Sequence, residues 1–161
     1  MAITIGTTYT KLSEAGGVVC VSGRADEKII TAKADGSQKA GYVVSIVGTG
    51  AESATTGDIV ATDKGVTESF VGIVLEKYNT DCDSAVTDGD LVEIVVPKAG
   101  KLYNIYITDP GADFNMGTLV AFSADAGEMV IQDSALEDMY YNAIFTQNVL
   151  NTSRFAEVRW V

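Results

Sequence analysis

"GDIVATDKGVTESFVGIVLE", residues 57 to 76, has an echo sixty residues later in "GTLVAFSADAGEMV", residues 117 to 130. Each passage opens with Gly, one polar residue and an aliphatic pair ending in Val. Each reaches a second Gly eight to ten residues on and then a further apolar stretch. Short apolar runs rich in β-branched residues and separated by glycine-containing turns are the signature of strands.

Extended along the chain, the same criterion finds "GYVVSIVG" (41 to 48), "FVGIVLE" (70 to 76), "DLVEIVV" (90 to 96), "KLYNIYI" (101 to 107), "TLVAF" (118 to 122), "EMVIQ" (128 to 132), "NAIFTQNV" (142 to 149) and "FAEVRWV" (155 to 161). These predict an all-β fold, a small barrel or sandwich with short turns. Asp35-Gly36 and Asp88-Gly89 supply residues that tolerate positive φ, and Pro110-Gly111 suits the centre of a type II turn. One short helix is expected at "SALEDMYY" (134 to 141), where Ser134 and Glu137 have capping-box spacing. Before residue 41, "GGVVCVSG" reads as a strand, and "RADEKIITAKADGSQKAG" has weak periodicity, fitting a strand with long loops. The expected organisation is an N-terminal arm over 1–40 and a β-barrel domain over 41–161.

Alternation assigns faces. In "FAEVRWV", Ala156, Val158 and Trp160 point to one side, and Phe155, Glu157, Arg159 and Val161 to the other, so the first set lines a core. "DLVEIVV" is apolar nearly throughout, which fits a strand covered on both faces, one by its own core and the other by a neighbouring chain or a loop. Leu91, Ile94 and Val96, with Tyr140 and Tyr141, are therefore candidate oligomer contacts.

The chain of 161 residues is long enough to bury roughly 70% of its unfolded surface without staples. Cys20 and Cys82 lie far apart, with no CxxC and no histidine in the sequence, so zinc and c-haem spacings are absent. They read as small apolar residues, with a disulfide as the alternative. No basic n-region and no run of 18 apolar residues is present, which predicts neither a secretory signal nor a membrane span.

Charge narrows the partners. Eleven Lys and Arg face 22 Asp and Glu, the opposite of what a phosphate backbone attracts, so nucleic acid is not an expected ligand. The excess is uneven: residues 1 to 40 hold five basic and four acidic groups, the remainder six and 18. The bland account is a soluble acidic surface; the sharper one is that the N-terminal segment faces something the body does not. "AITIGTTYTKL" also alternates like a strand able to add to a sheet edge. Ile3, Ile5, Tyr9, Lys11, Arg24, Lys28 and Lys33 are thus candidate contacts of that segment.

Without histidine there is no Ser-His-Asp or Cys-His pair and no imidazole base. "GTGAES" (48 to 53) lacks the third Gly of a dinucleotide fingerprint and no helical pattern follows it. Counted from Asp81, the loop "NTDCDSAVTDGD" puts Ala85, Val86 and Val92 where an EF-hand needs a ligand, a Gly and a Glu. A different calcium site at Asp81, Asp83, Asp88 and Asp90 is the alternative to a solvated acidic loop. Tyr103, Tyr106, Tyr140 and Tyr141 suit a sugar-stacking platform, or else core edges and interface anchors. No catalytic residue, cofactor or metal site is assigned, and the protein is not expected to be an enzyme.

"TTGDIVATDKGVTESFVGIVLEKY", "TDGDLVEIVVPKAGKLYNI", "NMGTLVAFSADAGEMVIQ" and the closing "NAIFTQNVLNTSRFAEVRWV", in that order, resemble the capsid decoration (cement) proteins of tailed bacteriophages over residues 41 to 161. The resemblance implies a small β-barrel that binds the outside of an assembled shell, with the major capsid protein as partner, and reinforces it without chemistry. It also implies a homotrimer and a place on the outer surface of the virion after synthesis in the host cytoplasm. The alternatives in other classes are a tail-tube or other virion β-protein and a carbohydrate-binding module.

Overall fold

The computed structural model describes residues 19–36, 38–47, 60–63, 72–75, 84–107, 113–122, 127–131, 143–150 and 155–161. They form ten strands: β1 (Lys28–Ala34), β2 (Val43–Val47), β3 (Val60–Asp63), β4 (Gly72–Val74), β5 (Leu91–Val96), β6 (Leu102–Tyr106), β7 (Leu119–Phe122), β8 (Met129–Ile131), β9 (Ala143–Phe145) and β10 (Phe155–Trp160). No helix occurs among the described residues. The expected helix at 134–141 and the Pro110-Gly111 turn lie outside them, as does Cys82.

The first five strands close into a barrel in the order β1-β3-β2-β4-β5, and the last five form a sheet in the order β6-β10-β9-β7-β8. The all-β class expected from the sequence holds, as a small barrel joined to a second sheet. In the barrel, β1 runs antiparallel to β5 over six residue pairs and parallel to β3 over two. In the sheet, the outer strands curl toward each other and meet at one bridge, Ile107 with Met129. The expected boundary at residue 40 falls between β1 and β2, two strands of the same barrel.

The two echoing passages supply β3 with β4 and β7 with β8. They are used differently. Strands β7 and β8 pair directly, whereas β3 and β4 lie on either side of β2. The shared grammar is that of turn and core, not of a repeated hairpin.

Two apolar clusters hold the fold. Ala32, Ala34, Val44, Val74, Val92 and Ile94 fill the barrel. Val43, Ile73, Leu75 and Val95 come from the opposite faces of β2, β4 and β5 and from the residue after β4, and join Tyr103, Ile105, Val120, Phe145, Val158 and Trp160 of the sheet. Consecutive residues of a strand point to opposite faces, so the pairs Val43/Val44, Ile73/Val74 and Ile94/Val95 divide between the clusters. Each such side chain stabilises the fold by about 1.5–3 kcal/mol relative to exposure. In β10, Ala156, Val158 and Trp160 are buried and the alternate residues are not, as the alternation predicts.

Two glycine features position these elements. Gly36 and Gly89 sit at φ +94° and +81°, the left-handed conformation expected of the two Asp-Gly turns. Gly72 lies so close to β5 that a Cβ there would collide with the Val95 carbonyl oxygen and come within 2.5 Å of Ile94 Cγ2. The β4-β5 seam admits no side chain at that point.

The free edge of β6 is covered by the chain itself. Val21 N–H donates to the Leu102 carbonyl (3.1 Å) and Asn104 N–H to the Val19 carbonyl (2.9 Å), on either side of a Cys20–Tyr103 bridge. Residues 19 to 21 of "GGVVCVSG" thus contribute a short edge segment, and Cys20 is a buried, small apolar side chain outside any disulfide. Pairing this edge removes a template for unwanted strand addition.

Candidate interaction face

Strand β1 was weakly periodic in sequence, yet its register with β5 is unambiguous: Ile29 lies opposite Val95, Thr31 opposite Glu93 and Lys33 opposite Leu91. Residues directly opposite share a face. Ile30, Ala32 and Ala34 face the barrel interior with Val92 and Ile94, so Ile29, Thr31, Lys33, Leu91, Glu93 and Val95 lie on the outer side, where Val95 is covered by the second sheet. Leu91 is 65% exposed and Ile29 37%. Arg24, from the turn before β1, reaches over this face and its Nη1 lies 3.4 Å from Glu93 Oε2. Both side chains are largely solvated, so the pair contributes under about 1 kcal/mol.

The face brings together residues that sequence reasoning had kept apart. Arg24 and Lys33, nominated for the N-terminal segment, share it with Leu91, nominated as an oligomer contact. Lys28 is exposed at the end of β1, opposite Val96. Ile94 does not belong: it is fully buried in the barrel core and offers no surface to another chain. The doubly apolar character of β5 arises because the same chain covers both faces at Ile94 and Val95. Ile29, Thr31 and Glu93 were missed; the alternation of Ile29, Thr31 and Lys33 against Ile30, Ala32 and Ala34 is the signal that finds them. Ile3, Ile5, Tyr9, Lys11, Tyr140 and Tyr141 lie outside the described residues.

Behind this face the N-terminal segment is fastened by a buried polar cluster. The Glu27 side chain is wholly buried; its Oε2 accepts a 3.0 Å hydrogen bond from the Tyr103 hydroxyl, and its Oε1 lies 3.7 Å from Lys101 Nζ. The Tyr103 oxygen also accepts from Lys98 N–H at 3.0 Å. Burial pushes the Tyr103 hydroxyl up to about 12; the Lys98 N–H opposes the shift and the neighbouring Glu27 carboxylate adds to it. With Glu27 and Tyr103 76 positions apart, this cluster had no local signal in the sequence.

The other candidates resolve as structure. Tyr103 and Tyr106 are buried and form no exposed platform. Tyr106 instead sits edge-to-face between Tyr42 and Phe155, with ring centroids 5.0 and 4.9 Å away. Asp88 and Asp90 belong to a turn tied to the end of β1 through Gly89 N–H to Ala34 O and Ala34 N–H to Asp90 O. Asp81 and Asp83 lie outside the described residues, and among those described no three acidic or cysteine side chains gather around a point.

No protein-family model matches this chain, and no curated protein matches it in sequence. Its fold is found in solved structures. The head fiber gp8.5 N base in bacteriophage phi29 aligns at a TM-score of 0.51 and 12% identity, over 84% of this chain and 94% of that one. A chain from the capsid of Myoviridae phage XM1 aligns at a TM-score of 0.53 and 16% identity, over 89% of this chain and 87% of that one.

Proposed function

We propose that this protein is a non-enzymatic structural component of a phage virion, bound to the outer surface of the assembled capsid and stabilising it as a cement or decoration protein. The observation that supports this most is likeness over nearly the whole chain to two proteins of phage heads, one a head fiber base and one from a capsid. The order of the Gly-Asp-aliphatic strands points the same way. The partner is the major capsid protein, reached through the arm residues Ile3, Ile5, Tyr9 and Lys11.

The mechanism needs no chemistry. A net charge of −11 keeps the free protein soluble. Several copies that touch several capsid subunits at once gain avidity through effective concentration. Because the protein binds the assembled shell and not dissociated subunits, it stabilises the shell by mass action.

Co-sedimentation with purified capsids tests this reading. Saturable binding that raises the temperature of capsid disruption supports it; no binding to any form of the shell rejects it. The likeness to a head fiber base favours a second arrangement, in which the domain anchors a projecting fibre. Electron microscopy of decorated capsids separates the two by the presence of compact knobs or of fibres.

A further inference from the structure

The start of β1, the turn from β5 to β6 and the end of β10 lie together at one end of the barrel. Lys28 opposes Val96, the last residue of β5, and Lys98 follows two positions later. The turn then brings Lys101 to Trp160, whose N–H donates to the Lys101 carbonyl at 3.0 Å. Arg159, next to Trp160, lies opposite Leu102. Basic residues from three separate stretches of sequence therefore meet here, with Arg24 ahead of them in the turn before β1.

These cations are unevenly partnered. Arg24 has Glu93, and Lys101 has the buried Glu27. Lys28, Lys98 and Arg159 are exposed and form no ion pair with a described residue. Asp26 is the one further described acid of this end, since Glu157, farther in along β10, accepts a hydrogen bond from the Thr146 hydroxyl. In a chain with 22 acidic against 11 basic side chains, neighbouring cations left without a carboxylate are the exception. The opposite end of the barrel, about 20 Å away along β1, has the reverse character: Asp88 packs against Gly36, and Asp35 and Asp90 flank the same turns.

The cationic end is also held in place. Lys98 N–H donates to the Tyr103 hydroxyl (3.0 Å), Lys101 N–H to the Lys98 carbonyl (3.2 Å) and Gly100 N–H to the Trp160 carbonyl (2.8 Å). A turn tied at three points has little freedom left to lose on binding, so its side chains are presented from a preorganised base.

We infer that this end of the domain docks on an acidic protein surface, with Lys28, Lys98 and Arg159 meeting carboxylates of the partner. A cationic end on an otherwise acidic molecule steers it into one orientation as it approaches such a surface. Arg159 can take a carboxylate in the bidentate manner. Nucleic acid fits less well, because its continuous row of phosphates would run past these few cations onto the acidic remainder. That the acidic surface belongs to the shell rests on the proposed function; its charge does not.

Co-sedimentation of the full chain with purified capsids, run beside passage over a carboxymethyl matrix, provides the test. The wild type is expected to bind capsids with an affinity that falls as salt is raised. The variant Lys28→Gln/Lys98→Gln/Arg159→Gln should bind roughly tenfold or more weakly and lose most of that salt dependence. Its melting temperature should stay unchanged, because the three side chains are exposed. Ser84→Asp/Ala85→Asp/Thr87→Asp makes the same change in net charge at exposed positions beside the acidic end and should bind as the wild type does. Equal capsid affinities of the wild type and the glutamine variant, or equal losses in both variants, would overturn the inference. Duplex DNA binding that disappears in the glutamine variant would also overturn it, by showing a site for polyanions at large. If the wild type binds no capsid, the capsid reading fails and the matrix decides. Retention of the wild type at low salt that is lost in the glutamine variant then upholds the inference, and any other result overturns it.

Discussion

The Tyr103 hydroxyl donates a 3.0 Å hydrogen bond to Glu27 Oε2, joining the turn before β1 to the middle of β6 across 76 residues of sequence. Both side chains are fully buried, so the bond ties barrel to sheet where water cannot replace it. Tyr103→Phe removes the hydroxyl that donates to Glu27 Oε2 and accepts from Lys98 N–H. A loss of about 1.5–3 kcal/mol in urea unfolding is expected, the range for hydrogen bonds to charged groups. A change under about 0.5 kcal/mol would show that the cluster is not a fastening.

The same tyrosine sets a limit at alkaline pH. Its hydroxyl titrates near 12 in the folded protein, above the ordinary value near 10 of an unfolded chain. The folded state therefore holds this proton more tightly. The stability it contributes is complete below about pH 10 and is lost as pH rises from about 10 to 12. The difference in stability between wild type and Tyr103→Phe should accordingly be constant at neutral pH and shrink through that window. Equal slopes for the two proteins above pH 10 would refute the assignment.

Gly72 marks the tightest seam of the barrel. With the Val95 carbonyl in the way, an added methyl group moves backbone rather than a flexible side chain. Gly72→Ala should cost about 2–3 kcal/mol, as overpacking of a close contact does. Measurement of the denaturation midpoint checks this, and a neutral result would mean that β4 and β5 can separate.

Strand β10 offers a contrast between its two faces. Val158 is buried in the cluster between barrel and sheet, whereas Arg159 is exposed. Val158→Ala should cost about 2 kcal/mol or more through lost burial and the cavity left behind, while Arg159→Ala should change stability by less than about 0.5 kcal/mol. Comparable losses at both positions would contradict the assigned faces.

Those faces were legible because period-two alternation is a local signal. All eight runs named from sequence contain a strand, β2 and β4 to β10. What escaped was set by distant neighbours. Strand β1, "KIITAKA", has two alanines, Ala32 and Ala34, that are buried because β5 lies opposite, a partner some sixty residues away. The apolar excess of "DLVEIVV" was read as two covered faces, the second under a neighbouring chain or a loop; instead Ile94 faces the barrel interior and Val95 the chain's own second sheet, while Leu91 stays exposed. Nothing local in the sequence marks Glu27; only the fold buries its side chain against Lys101 and Tyr103.

That burial bears on the N-terminal residues. The first described residue, Val19, is buried, and Val19 and Val21 are pinned to β6 by backbone bonds, with the Ser22 hydroxyl accepting from Leu102 N–H. On the proposal that residues 1 to 12 contact the capsid, they precede a stretch that is held on β6. Deleting residues 1 to 12 should abolish capsid binding in co-sedimentation and leave the melting temperature nearly unchanged, as the proposed docking role requires. The edge pairing would be lost only if the deletion ran past Val19, which makes deletion of residues 1 to 22 the destabilising control. A 1–12 deletion that still decorates capsids at normal affinity would move the docking surface from the arm to the body of the domain.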